Sequence, residues 1–287
     1  MELRPKNKQL KIAAGAKINW ALDILGKRPD GYHELKMIMQ PVSLADELTL
    51  TQCLTDDAVS ADVPLPSGAG NLALAAWLLL KKRYSLPQRL GIYIEKNIPI
   101  AAGLGGGSAD AAAVLLGANQ MFELGLDHRQ LAELALPLGA DIPFCLLGRA
   151  SLARGKGEIL EPLGSLPEQW LVLVNPGVPL STALVYRNYI ARENAPQIDI
   201  NALKDALMLG DLAKIAPLMF NALEEPAQAL CPQIGEIKRE LRALGLHPLL
   251  SGSGPTVFAP AHDRDAAAQT AAALSGRWPF VKIARTL

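Results

Sequence analysis

The chain has 287 residues, and its 28 Lys and Arg balance 28 Asp and Glu to a formal net charge of zero, so no bulk charge draws it to nucleic acid or an anionic membrane and any bound anion must be held locally. A chain of this length with 50% hydrophobic residues can bury a large core, as one big domain or two ordinary ones. Cys53, Cys145 and Cys231 are odd in number and widely spaced, which points to neither a disulfide framework nor a zinc site and fits a reduced cytoplasm.

Residues 12–25 have strand character, and within them Lys17, Asn19 and Asp23 interrupt the apolar run, so the stretch cannot serve as the core of a signal peptide. Strands are predicted at 37–41, 47–51 and 91–96. Residues 71–84 read as a helix whose apolar run, 72–80, is too short for a bilayer and is followed by Lys81, Lys82 and Arg83. Further helices are predicted at 108–124 and 128–136, the latter ending near Pro137 and Gly139. An apolar strand at 170–175 stops at Asn175-Pro176-Gly177, helices follow at 200–209, 212–222 and 234–244, and a strand at 255–259 comes after Ser251-Gly252-Ser253-Gly254. The coarse expectation is an α+β protein in two halves, 1–157 and 158–287, soluble and cytoplasmic, with no membrane, nucleic-acid or obligate protein partner.

The densest signal is the run from Pro99, Ile100, Ala101 and Ala102 through Gly103, Leu104, Gly105, Gly106 and Gly107 to Ser108 and Ala109, with four glycines in five residues at the start of an alanine-rich helical pattern. Glycine lets backbone N–H groups converge on an anion, and a helix N-terminus adds its unpaired N–H groups and positive dipole end. That combination suits the phosphates of a nucleoside triphosphate. No lysine follows the glycines, so this is not an ordinary P-loop, and Ser108 stands where a dinucleotide fingerprint needs its third glycine.

The loop resembles the hallmark Pro-x-x-x-Gly-Leu-Gly-Ser-Ser-Ala of the GHMP kinase superfamily, matched by Pro99, Gly103, Leu104, Gly105, Ser108 and Ala109. Three further stretches, Ala16-Lys17-Ile18-Asn19, the run from Arg28 to Leu35 and the run from Gly139 to Phe144, resemble one branch of it, and the run from Ser251 to Phe258 resembles the superfamily's third motif, all in the same order. The Gly106-Gly107-Ser108 variant is similar to that same branch, which phosphorylates a cytidyl-linked methylerythritol. Gly15 stands where the family usually has proline, and Tyr186 where the branch commonly has phenylalanine. The resemblance implies a two-domain GHMP kinase fold with the active site in the cleft between the halves. It also implies ATP-dependent transfer to the 2-hydroxyl of that alcohol, in the non-mevalonate route to isoprenoid precursors.

Phosphoryl transfer to an alcohol calls for an in-line hydroxyl, neutralised charge and often an acid that takes the alcohol proton. Asp141, in mostly apolar surroundings, is the candidate base, against the alternative of a helix cap or turn residue before Pro143. Lys17 is the candidate partner that keeps Asp141 ionised and orients the hydroxyl, against the alternative of a solvated edge-strand lysine. Asn19 shares its strand face and is positioned for substrate hydroxyls. The resemblance implies that Tyr32 and Tyr186 stack on the two faces of the cytosine, that His33 bonds its edge and that Thr182 lies beside it, whereas a plain exposed turn is the alternative for Tyr32 and His33. It also carries over Asn71 and Lys96 as contacts near the adenine, with a helix N-cap and an exposed lysine as the alternatives. Mg²⁺ is expected with ATP, Ser108 being the one protein ligand that suggests itself. Another small-molecule kinase of the superfamily, of homoserine or mevalonate type, and a non-catalytic nucleotide-binding protein on the same fold are the competing readings.

Overall fold

A computed structural model describes residues 8–53, 56–66, 68–191 and 198–287. The chain divides into two compact units, each assembled from discontinuous segments: Met1–Gly15, Ala45–Ile98 and Gly106–Gly148 form one, and Ala16–Leu44, Pro99–Gly105 and Arg149–Leu287 form the other. Two long strands, β1 (Gln9–Lys27) and β2 (His33–Cys53), contribute chain to both. The segments expected as separate strands at 37–41 and 47–51 are parts of β2, because residues 42–46 between them keep extended backbone, with Val42 and Asp46 buried.

In the first unit, the last seven residues of β2 pair antiparallel with β4 (Arg89–Glu95), from Glu47 opposite Glu95 to Cys53 opposite Arg89, and β3 (Ala58–Ala61) pairs parallel with β4. Alternation puts Leu90, Ile92 and Ile94 inside and leaves Arg89, Tyr93 and Glu95 outside. The buried face packs with α1 (Leu72–Arg83) and α2 (Gly106–Met121), where Trp77, Leu80, Val114 and Leu115 join Leu48 and Leu50 in one core. The alanine-rich sequence of α2 allows this close approach: a Cβ at Gly117 would stand 2.4 Å from the Leu50 side chain. The helix begins at Gly106, two residues ahead of Ser108. Next come α3 (His128–Ala135), started by a reciprocal capping box between Asp127 and Gln130, and α4 (Ile142–Leu147), closed by Gly148 at φ 62°.

In the second unit, residues 35–39 of β2 pair antiparallel with β5 (Ser151–Gly155), which pairs with β6 (Ile159–Pro162). Around β7 (Trp170–Asn175) the chain builds a second sheet and a set of helices, namely α5 (Thr182–Arg187), α6 (Ile200–Leu209), α7 (Leu212–Ile215), α8 (Glu224–Leu230), α9 (Gln233–Ala243) and α10 (Arg264–Leu274). The short strand β8 (Phe220–Asn221) pairs parallel with β1 at Ala21 and Leu22. The sheet itself runs in the order β11 (Phe280–Arg285), β7, β10 (Val257–Ala261), β9 (Leu249–Leu250), all antiparallel.

The single helix expected over 212–222 is instead α7, a 3₁₀ turn at Ala216–Leu218 and then β8. Pro217 has no N–H to continue the helix, and Met219 turns to extended backbone at φ −66°, ψ 134°. The change of unit nearest the expected boundary at 157 falls at Arg149. Among the described residues no helix is long and apolar enough to cross a membrane.

Candidate active site

The second unit holds the first half of the glycine loop and gathers other motifs around it. Gly103 and Gly105 have φ of +76° and +73°, and a Cβ on Gly103 would fall 2.1 Å from the Ser251 carbonyl oxygen and 2.7 Å from the Gly254 nitrogen. Only glycine fits there. The loop is stitched down by backbone N–H of Lys17 donating to Leu104 O (2.9 Å), that of Thr256 to Ala102 O (3.2 Å), and the Ser251 hydroxyl to Gly103 O (3.0 Å). Two segments distant in sequence therefore meet at one loop.

Lys17 is only 5% exposed, and its ammonium donates to Asn19 Oδ1 at 2.8 Å. Burial removes the solvated edge-strand reading. Asn19, 1% exposed, follows on the same strand face, as the period of two requires, and its amide faces Met37 Sδ at 3.5 Å. A Cβ at Gly105 would touch the Lys17 stem at 3.0 Å, and one at Gly252 would lie 3.0 Å from its Nζ. Both glycine clusters thus border the lysine, leaving its charged end in a narrow, backbone-lined setting.

In the same unit, the His33 ring stacks on Tyr186, with centroids 5.2 Å apart and planes inclined by 26°, while Tyr189 meets His33 edge-on at 6.1 Å. Burial, aided by the charge of Lys27, pushes the His33 pKa below its ordinary value. At neutral pH the ring is therefore neutral and has one donor and one acceptor nitrogen for a base edge. Tyr32 is 60% exposed, and the Lys156 ammonium lies 4.6 Å from its ring centroid. Thr182 opens α5, which Ser181 caps, and the Thr182 hydroxyl bonds the Ser253 hydroxyl at 2.8 Å.

The first unit carries the remaining candidates. Ser108 and Ala109 lie in the first turn of α2, where N–H groups have no intrahelical partner. A Cβ on Gly139 would sit 3.8 Å from Ser108 Oγ, so the Gly139-Ala140-Asp141 turn runs alongside that helix start. Asp141 is half-buried in the turn that leads into α4 and stands at that helix's N-cap position, although its side chain makes no cap hydrogen bond. Asn71 does act as a cap: its Oδ1 accepts from Ala73 N (3.0 Å) and Leu74 N (3.2 Å).

Lys96 is buried rather than exposed, and its ammonium lies between the Asp46 and Asp110 carboxylates, 2.9 Å from the latter. Asp46 also accepts from the N–H groups of Asn97 (2.6 Å) and Ile98 (2.8 Å), pinning the chain where it runs into the glycine loop. One cation between two buried carboxylates leaves one negative charge too many, and burial together with the Asp46 charge raises the Asp110 pKa to about 7, against the pull of Lys96. Since this folded-state value lies above the ordinary 3.8, the folded chain holds a proton that the unfolded chain has released, and stability falls as pH rises from 3.8 to about 7. Asp110→Asn is expected to flatten that fall. Urea unfolding at about pH 5 and about pH 8 checks it, and an unchanged slope refutes the assignment.

Sequence reasoning singled out the Ser251 cluster without giving it site residues, and it missed Asn221, Lys156 and Tyr189 altogether. The paired serines and glycines were the available signal for the first. Nothing local marks the others. Among the described residues no group of three or more His, Cys, Asp or Glu could hold a metal ion.

Comparison with known proteins adds to this geometry. Residues 71–149 match the family profile described as GHMP kinases N terminal domain, and residues 203–279 match GHMP kinases C terminal. A 4-diphosphocytidyl-2-C-methyl-D-erythritol kinase of Geobacter sulfurreducens is 43% identical over 285 residues, covering 98% of this chain and 100% of that protein. A crystal structure of a 4-(cytidine 5'-diphospho)-2C-methyl-D-erythritol kinase superposes with a TM-score of 0.83 at 39% identity, over 96% of this chain and 99% of the other. A homoserine kinase from Cytophaga hutchinsonii superposes with a TM-score of 0.76 at 19% identity, over 100% and 97% of the two chains, which shows the common fold.

Proposed function

The chain belongs to the GHMP kinase family, and from that premise we propose that it transfers the terminal phosphoryl group of ATP to the 2-hydroxyl of 4-diphosphocytidyl-2-C-methyl-D-erythritol, in the non-mevalonate route to isoprenoid precursors. It is a small-molecule kinase. The observation that carries the choice of acceptor is the stacked His33 and Tyr186 pair in the unit that also holds Lys17 and Asn19. A flat base is held by an aromatic face and read at its edge by a neutral imidazole. An acceptor of homoserine or mevalonate type has no base for that pair to hold.

In this reading Asp141 accepts the proton of the 2-hydroxyl as its oxygen bonds the terminal phosphorus and the bond to the bridging oxygen breaks, releasing ADP. Lys17 supplies a positive charge that orients the acceptor oxygen, while Asn19, its neighbour on the same strand face, steadies the substrate hydroxyls. The N–H groups of 103–109 and the start of α2 hold the phosphates, and Asn71 and Lys96 flank the adenine. Positive φ at Gly103 and Gly105, with no room for a Cβ on the first, fits a loop whose backbone must approach an anion. Mg²⁺, with the Ser108 hydroxyl as its proposed protein ligand, neutralises phosphate charge when bound. Tyr32 and Thr182 complete the base-holding end, and the reaction belongs to a soluble cytoplasmic enzyme without an obligate protein partner.

An ADP-release assay with the cytidyl-linked methylerythritol, mevalonate and homoserine as acceptors tests the assignment. Turnover confined to the first supports it, and turnover confined to either of the others overturns it. In the same assay Tyr186→Ala is expected to raise the KM of the cytidyl substrate by about ten-fold or more with kcat little changed, the loss of one stacking contact of roughly 1.4 kcal/mol. An unchanged KM sinks the stacking role.

A further inference from the structure

Asn221 is buried on β8, and every polar atom of its side chain is engaged. Its Nδ2 donates to the carbonyl oxygens of Leu250 and Gly252, both at 2.8 Å, and its Oδ1 accepts from Leu223 N at 2.9 Å. The two carbonyls flank Ser251, whose hydroxyl holds Gly103 O in the nucleotide loop. Gly252, at φ +54°, presents its Cα side to Lys17 Nζ and to Gly103 O, at 3.0 and 2.8 Å from where a Cβ would stand. One amide thereby sets the path of a segment that borders both the loop and the lysine.

The support behind that amide is also polar and buried. Leu250 N donates to Glu224 Oε1 at 3.2 Å, and Glu224 is paired with Lys238, whose side chain is nearly inaccessible. On the opposite side, Asn175 donates to Thr256 Oγ1 at 2.8 Å and fixes the outgoing end of the same turn. β8 in turn is registered on β1 at Ala21 and Leu22, a few residues beyond Lys17 on the same strand. Burying so many polar groups is costly unless each is satisfied, and satisfied networks hold one geometry.

We propose that Asn221 is a positioning residue for phosphoryl transfer, acting through Gly252 on the Lys17 ammonium and through Ser251 on the glycine loop; this rests on the reading of Lys17 given above. Small displacements of a catalytic group cost far more in rate than in stability. Asn221→Ala removes both donors and frees the 250–252 segment. Asn221→Asp keeps the size and the acceptor for Leu223 N but turns an anionic oxygen toward two carbonyl oxygens, so it separates the donor role from simple space filling.

The test measures kcat and both KM values for wild type, Asn221→Ala, Asn221→Asp and Ser251→Ala, with whichever acceptor alcohol the wild type phosphorylates, and repeats Asn221→Ala in a Lys17→Met background. Both Asn221 variants are expected to lose roughly ten- to a hundred-fold in kcat while the acceptor KM stays within about two-fold, and Ser251→Ala is expected to raise the KM of ATP. In the Lys17→Met background, Asn221→Ala should lower kcat much less than it does alone, because the residue it positions is gone. Normal kcat in both folded Asn221 variants, or equal losses with and without Lys17, overturns the inference. If Asn221→Ala does not fold, Asn221→Asp and Ser251→Ala decide it. Wild-type preference among acceptors tests the substrate assignment separately, so failure of one is distinguishable from failure of the other.

Discussion

Asp141→Asn is expected to lower kcat by about a hundred-fold or more, close to 2.7 kcal/mol of barrier, while ATP still binds. Asparagine matches aspartate in size and keeps an acceptor oxygen, so the local packing ahead of α4 survives, but its amide cannot take a proton at neutral pH. The side chain makes no cap hydrogen bond to α4, so the substitution costs that helix no cap. Titration with a non-hydrolysable ATP analogue separates binding from turnover. A variant whose kcat stays within about three-fold of wild type removes Asp141 from the role of base.

Gly103→Ala is the second large effect expected. A methyl group there would lie 2.1 Å from one backbone carbonyl oxygen and 2.7 Å from a backbone nitrogen, at a φ of +76° that L-residues rarely adopt. The left-handed backbone alone costs roughly 1–2 kcal/mol, and the clash with main chain must be relieved by moving the loop off the Ser251 turn. The expected result is a loss of about a hundred-fold in kcat/KM for ATP together with a lowered Tm, since backbone donors displaced by even 1 Å no longer converge on the phosphates. Gly164→Ala is the control: nothing lies within 4 Å of its Cβ position, so its kinetics and Tm should match wild type. Wild-type kinetics in Gly103→Ala would show that the loop does not bind ATP in this geometry.

Much of the local chemistry was legible from pattern. Alternation along a strand put Lys17 and Asn19 on one face, and they are in contact at 2.8 Å. Four glycines ahead of an alanine-rich stretch announced a tight loop running into a buried helix, as found at Gly106–Met121. Pro217 is visible as well, yet the apolar periodicity around it predicts one helix, and in the structure the missing N–H prevails. The aromatic partners were only half legible: His33 and Tyr186 meet ring to ring, while Tyr32 is under Lys156. No periodicity relates positions so far apart in sequence.

The sequence by itself determined the kinds of groups available and their local geometry, because turns, strand faces and helix starts depend on residues a few positions apart. It determined, too, the motif order that identifies a GHMP kinase. Only the tertiary structure decided what each polar group faces. Lys96 has two readings in the sequence, an adenine contact or an exposed lysine, and neither shows that β2 brings Asp46, 50 positions away, and α2 brings Asp110 against it. Asn221 has no signature at all, and it holds Gly252, 31 residues on. Burial and electrostatic surroundings arise where distant segments meet, so partnership and proton affinity are properties of the fold.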